Sequence, residues 1–224
     1  MGALTACGGS SGAGTTAAPA DTKAASGDTT AAAADSGSTT GDVPADVQKI
    51  IDAGVLKVGV KTDVPCFSLQ NTATGEYEGL EDDLAYEIAG KIFGCTADEA
   101  KEKKLVAFQG VTAKTRGPLV ENGELDMVIA TFTITEERKE TYNFSTPYFT
   151  DAVGLLVLKD SGINSIEDLD GKVIGVAQGS TSQKGFEAYV AEKGYNVKPT
   201  FEEFDGYPAL AAALSATVSY THLR

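Results

Sequence analysis

A single histidine, His222, occurs in the 224 residues. With none in the body of the chain, the common Ser-His-Asp and Cys-His arrangements are excluded. The three cysteines, Cys7, Cys66 and Cys95, do not have zinc spacing, and no histidine is placed to complete a site. Arginine is nearly as scarce: Arg116, Arg138 and Arg224 are the only three, and all other basic side chains are lysine. The net charge of -14 argues against nucleic acid as a partner, because phosphate binding needs a basic face. No apolar run approaches the ~18 residues that span a bilayer. What remains is 42% hydrophobic residues, enough for the core of one or two domains.

The pattern of apolar residues alternates between strands and helices. A short helix over Val47–Ala53 precedes a strand over Val55–Val60. A hairpin follows over Ser68–Glu78, turning at Asn71–Gly75. Leu80, Leu84, Ile88 and Ile92 recur every four residues and predict one buried helix face. Further on, strands are expected at Lys104–Phe108, Leu125–Ala130, Ala152–Leu158, Lys172–Ala177 and Val197–Phe201. Helices are expected at Ala113–Glu121, Glu136–Thr141, Ile166–Leu169, Ser180–Lys193 and Tyr207–Ala216. Such alternation with short loops means α/β architecture with mostly parallel sheets covered by helices. Ligands in such sheets sit beyond the carboxyl ends of the strands. Lys61, Thr131, Thr133, Ser180 and Thr181 all fall there.

The most informative stretch is Gly123–Phe149. A strand runs into a Thr-rich turn, and the turn opens a short helix carrying Arg138. Thr133-Ile134-Thr135-Glu136 has capping-box spacing. Arginine grips a planar carboxylate bidentately, which makes Arg138 a candidate anion clamp. The bland alternative is a surface ion pair with Glu136, Glu137 or Glu140. Gln178-Gly179-Ser180-Thr181-Ser182 follows a strand and opens a helix, but lacks the Lys and second Gly of a phosphate loop. Helix-start amides with a Ser or Thr cap bind small anions, carboxylate included. The alternative there is a plain cap. Gly79-Leu80-Glu81-Asp82-Asp83-Leu84 reads as a helix start whose acids complement the dipole, with no ligand role.

Taken in order, these motifs resemble the family 3 extracellular solute-binding proteins, which deliver polar amino acids to ABC importers. The likeness covers about residues 54 to 216. Asp82 departs from it, since an apolar residue is usual there. The resemblance implies a two-lobed, periplasmic-binding-protein-like (type II) fold, with lobe 1 at 47–151 and a partial, truncated lobe 2 at 152–216. Ligand lies between the lobes and no cofactor is called for. On the positions matching the family, Arg138 clamps the α-carboxylate, Thr131 and Thr133 hold α-groups, and Ser180 and Thr181 contribute from lobe 2. Tyr207 closes over the ligand. Phe67 lines the same wall or belongs to the hairpin core.

Lys61 and Arg116 supply further positive charge, in a pattern that resembles the glutamate/aspartate-binding branch. An uncompensated cation in a closed cleft disfavours a neutral ligand side chain. An acidic amino acid is therefore the expected ligand. A glutamine- or histidine-type amino acid is the alternative, as is a dehydratase-like enzyme on the same fold with Lys61 as general acid or base. A sensor or cell-wall-enzyme module is a third class.

Leu4-Thr5-Ala6-Cys7 resembles a lipobox, with residues 1–7 a signal-peptide remnant and Cys7 the lipidated residue. Residues 8–46 read as a disordered Gly/Ala/Ser/Thr tether. The implied protein is a monomer, lipid-anchored on the outer face of the cytoplasmic membrane and serving the transmembrane subunits of an ABC permease. Residues 217–224 resemble translated adapter sequence and read as a foreign tail.

Overall fold

The computed structural model describes residues 43–216 and the backbone of 220–223. Cys7 and residues 8–42, with the lipobox and most of the tether, lie outside the described residues.

Helix α1 (Ala45–Ala53) begins two residues inside the segment expected to be tether, after Pro44 at its N-cap. Strand β1 (Leu56–Val60) follows, then the short β2 (Asp63–Val64), β3 (Ser68–Gln70) and β4 (Tyr77–Glu78). The last three form an antiparallel sheet whose turn lies at Asn71–Gly75 as expected.

Helix α2 (Leu80–Phe93) corrects the predicted face. Its buried residues are Glu81, Asp82, Ala85, Ala89 and Gly90, while Leu80 is 46% exposed. Four residues advance a helix by slightly more than one turn, so a stripe of that spacing drifts around it. The small side chains let the helix settle on β1, and Leu84, Ile88 and Ile92 flank that contact. Helix α3 (Ala97–Glu102) was not expected. Its signal was present in Thr96 and Glu99, which form a reciprocal capping box.

Strand β5 (Val106–Gly110), helix α4 (Arg116–Glu121), strand β6 (Met127–Val128) and helix α5 (Glu136–Lys139) complete lobe 1. The sheet order is β5-β1-β6, all parallel. β5 lies two residues later than expected because its pairing with β1 runs on to Val60↔Gly110. Leu56, Val58 and Val60 are buried with Ala85, Ala89 and Ile129 in the core.

In lobe 2, β7 (Leu155–Leu156) and a 3-10 turn at Glu167–Leu169 lead to β8 (Val173–Ala177), α6 (Ser182–Lys193), β9 (Thr200–Phe204) and α7 (Tyr207–Ala216). Leu169, Ile174, Val176 and Phe186 form this lobe's core. β9 is displaced three residues from the expected Val197–Phe201, since its register with β8 starts at Val173↔Thr200. Residues 217–224 were given no place in the fold. The structure puts β10 (Tyr220–Leu223) between β7 and β8, parallel to β8 and antiparallel to β7. Tyr and Thr suit a strand, and the lane between β7 and β8 accepts one. Cys66 and Cys95 are free thiols.

Candidate functional site

The carboxyl ends of β1, β6 and β8 converge on one cavity of about 920 Å³. Lys61, Arg116, Thr131 and Thr133 line it from lobe 1, and Ser180, Thr181 and Tyr207 from lobe 2. Arg138 lines an adjoining cavity shared with Ser180 and Thr181. Phe67 lines the main cavity and packs edge-on against Phe149, with ring centroids 4.9 Å apart.

Thr131 has a left-handed backbone, φ 47°, at the exit of β6. A β-branched residue there is strained and must be held. Glu81 holds one side: its Oε1 accepts from the Thr131 N–H at 2.6 Å and from the Tyr148 hydroxyl at 2.5 Å. Arg116 holds the other, donating through Nη1 to the carbonyls of Ala130 (2.6 Å) and Thr131 (3.1 Å). Burial pulls the Arg116 guanidinium down to about 10, with Arg138 adding to the effect and the Glu81 carboxylate opposing it. Burial raises Glu81, against the bonds from Tyr148 and Thr131 and the pull of Arg116 and Lys61. Glu81, expected to have only a helix-dipole role, therefore supports the site from behind. Sequence reasoning missed it because the burial of an acidic residue at a helix start leaves no mark in the sequence.

Arg138 reaches across the lobes. Its Nη1 donates to Thr133 O at 2.8 Å and its Nη2 to Gly179 O at 3.1 Å. The guanidinium centres of Arg116 and Arg138 lie 4.3 and 4.6 Å from the ring centroid of Phe132. One aromatic ring thus locates both cations. The alternative surface pairing is filled by other lysines: Glu136 binds Lys139 and Glu137 binds Lys184. The cap of α5 is Thr135, whose hydroxyl accepts from the Arg138 N–H at 3.2 Å, rather than Thr133. Similarly, Thr181 occupies the N-cap of α6 without a side-chain bond, and the Ser180 hydroxyl instead accepts from the Ser182 N–H at 3.4 Å.

Lys61 corrects an assumption about charge. Its Nζ lies 3.0 Å from Asp63 Oδ1, an ion pair without directed hydrogen-bond geometry, and 5.6 Å from the Tyr207 ring centroid. It is 4% exposed and is not an uncompensated cation. Arg116 is likewise engaged with backbone carbonyls. The arrangement presents a guanidinium, hydroxyls and helix-start amides around one cavity, which suits a small polar molecule carrying a carboxylate.

Residues 56–219 match the family model of bacterial extracellular solute-binding proteins, family 3. A glutamine-binding protein of Geobacillus stearothermophilus is 43% identical over 171 residues, covering 76% of this chain and 60% of the relative. A glutamate-binding protein of Corynebacterium glutamicum is 32% identical over 169 residues, covering 74% and 53%. The chain thus spans between half and three fifths of the length of these relatives. Among solved structures, an ancestral amino acid-binding protein, a precursor of cyclohexadienyl dehydratase, matches with a TM-score of 0.66 at 27% identity, over 80% of this chain and 73% of that one.

Proposed function

The chain belongs to the bacterial extracellular solute-binding proteins, family 3, and we propose that it is the substrate-binding component of an ABC importer for a polar amino acid of the glutamine type. The observation that carries this is the Arg138 guanidinium, set between Thr133 of one lobe and Gly179 of the other, where an α-carboxylate would replace both carbonyl partners with a stronger, bidentate one. Thr131, Thr133, Ser180 and Thr181 supply hydroxyls and amides around it, and Tyr207 covers the space from lobe 2.

The side-chain preference follows from charge. Lys61 is paired with Asp63, and Arg116 Nη1 is occupied by the carbonyls of Ala130 and Thr131. Neither cation then penalises an amide. Glutamate or aspartate is the second reading, favoured by the buried Arg116 Nε, which has no hydrogen-bond partner. The pairing of Lys61 with Asp63 also supports binding over dehydratase-like chemistry, since it occupies the candidate general acid or base.

Closure of the lobes on ligand is a hinge motion, stabilised because ligand touches both. The protein acts outside the cytoplasm as a monomer, anchored through Cys7, and hands its cargo to the transmembrane permease. Calorimetric titration with L-glutamine, L-glutamate and L-aspartate tests the proposal. Binding of L-glutamine in preference to the acids supports the amide reading, and preference for the acids supports the second. No binding of any of them contradicts both.

A further inference from the structure

Behind the Lys61 wall lies a chain of polar groups that the ligand contacts do not use. Ser68, 0% exposed, places its Oγ 2.6 Å from the Lys61 carbonyl and 2.8 Å from Asp82 Oδ1. Asp82 is itself 1% exposed. A hydroxyl has one proton to give, and a carbonyl has none. At 2.6 Å the Ser68 proton goes to the Lys61 carbonyl. The 2.8 Å contact to Asp82 then lacks a proton unless Asp82 brings it.

We propose that Asp82 is a proton-bearing positioning residue, donating from its carboxylic acid to Ser68 Oγ so that Ser68 can fix the Lys61 peptide at the cleft wall. Several features agree. The second oxygen, Oδ2, is buried without a partner, a setting that a neutral carboxyl tolerates far better than a carboxylate. The groups facing Asp82 are Glu81 and Asp83 on α2, the phenols of Tyr86 on α2 and Tyr77 on β4, and Lys101 on α3. Burial, Glu81 and Asp83 favour the neutral form, and Lys101 opposes it. Burial first, then the two acids, push the Asp82 carboxyl up to about 6, with Ser68 and Lys101 acting the other way.

A carboxyl raised on folding stabilises the fold relative to its ionised form at pH below its ordinary value near 4, and that contribution is lost as pH rises through about 6. Above that, Ser68 must choose between the Asp82 carboxylate and the Lys61 carbonyl. Lys61 is then less firmly placed and ligand is held less tightly. This last step rests on the proposed binding function, whereas the proton on Asp82 does not.

The experiment uses the full chain, wild type and Asp82→Asn, whose amide donates to Ser68 at every pH. Carboxyl carbon NMR should show one aspartate, absent from Asp82→Asn, titrating near pH 6. The thermal midpoint of Asp82→Asn relative to wild type should rise by about 5 °C between pH 5 and pH 8. An Asp82 signal titrating near pH 4, or a midpoint difference flat with pH, would overturn the proposal. With L-glutamine, wild-type Kd should weaken about threefold or more over the same range and that of Asp82→Asn should not. A parallel change in both proteins would overturn the role in capture. If the carboxyl titrates near pH 6 but no amino acid binds, the binding function fails and the Asp82 proton stands.

Discussion

Arg138 of lobe 1 donates to the carbonyl of Gly179 in lobe 2 at 3.1 Å, so one guanidinium joins the two walls of the cleft. The approach depends on Gly179 having no side chain. Its φ is 78°, and a Cβ there would lie 2.9 Å from both the Ala113 carbonyl oxygen and the Lys114 Cα. Backbone cannot step aside as a flexible side chain does. Gly179→Ala should therefore prop the lobes apart, weakening ligand binding about tenfold or more, equivalent to ~1.4 kcal/mol. Calorimetry reads the affinity and small-angle scattering reads the opening.

Glu81 fixes Thr131 and Tyr148 through one carboxylate oxygen. Glu81→Ala should strand the partly buried Thr131 N–H and leave Arg116 without its nearby counter-charge. The expected loss is about 1–3 kcal/mol of unfolding free energy, measured by urea denaturation. Ligand affinity should fall with it, because Thr131 is then held in its left-handed conformation only from the Arg116 side.

The Lys61–Asp63 pair is nearly buried on the lysine side. Removing one partner leaves a desolvated charge, so Asp63→Asn should destabilise the fold by about 3–5 kcal/mol. The same variant should shift ligand preference from L-glutamine towards L-glutamate, because Lys61 is then free to receive a carboxylate. Competition between the two amino acids at fixed pH checks this. An unchanged ratio would show that Lys61 does not sense the ligand side chain.

The inter-lobe pair of Lys184 and Glu137, 2.7 Å apart, is exposed at both ends. Water and salt screen it. Lys184→Ala should leave ligand affinity within about twofold of wild type, in contrast to Gly179→Ala, when both are titrated side by side.

Much of this was legible in the sequence. Strand-helix alternation placed β1 and β8 within a residue of their observed bounds, and the cavity-lining turns after them came with the strands. Arg138 was legible because arginine is rare here. Elements fixed by pairing were less so. β6 and β7 are two residues each, although longer apolar runs predicted longer strands, because hydrophobic sequence reports burial and not ladder length. β10 was unexpected because only the lane between β7 and β8 makes a strand of Tyr220–Leu223. The charge state of the cleft was least legible of all. That Lys61 meets Asp63 and that Arg116 meets two carbonyls depends on side-chain direction at the exits of β1 and β6, which periodicity does not encode.

Calorimetric titration of wild type and Arg138→Ala with L-glutamine tests whether Arg138 clamps the α-carboxylate of a polar amino acid. Wild type should bind saturably, and Arg138→Ala should lose at least about 100-fold, some 2.7 kcal/mol, as befits a charge-assisted bidentate contact. Equal affinity of the two proteins would contradict that role.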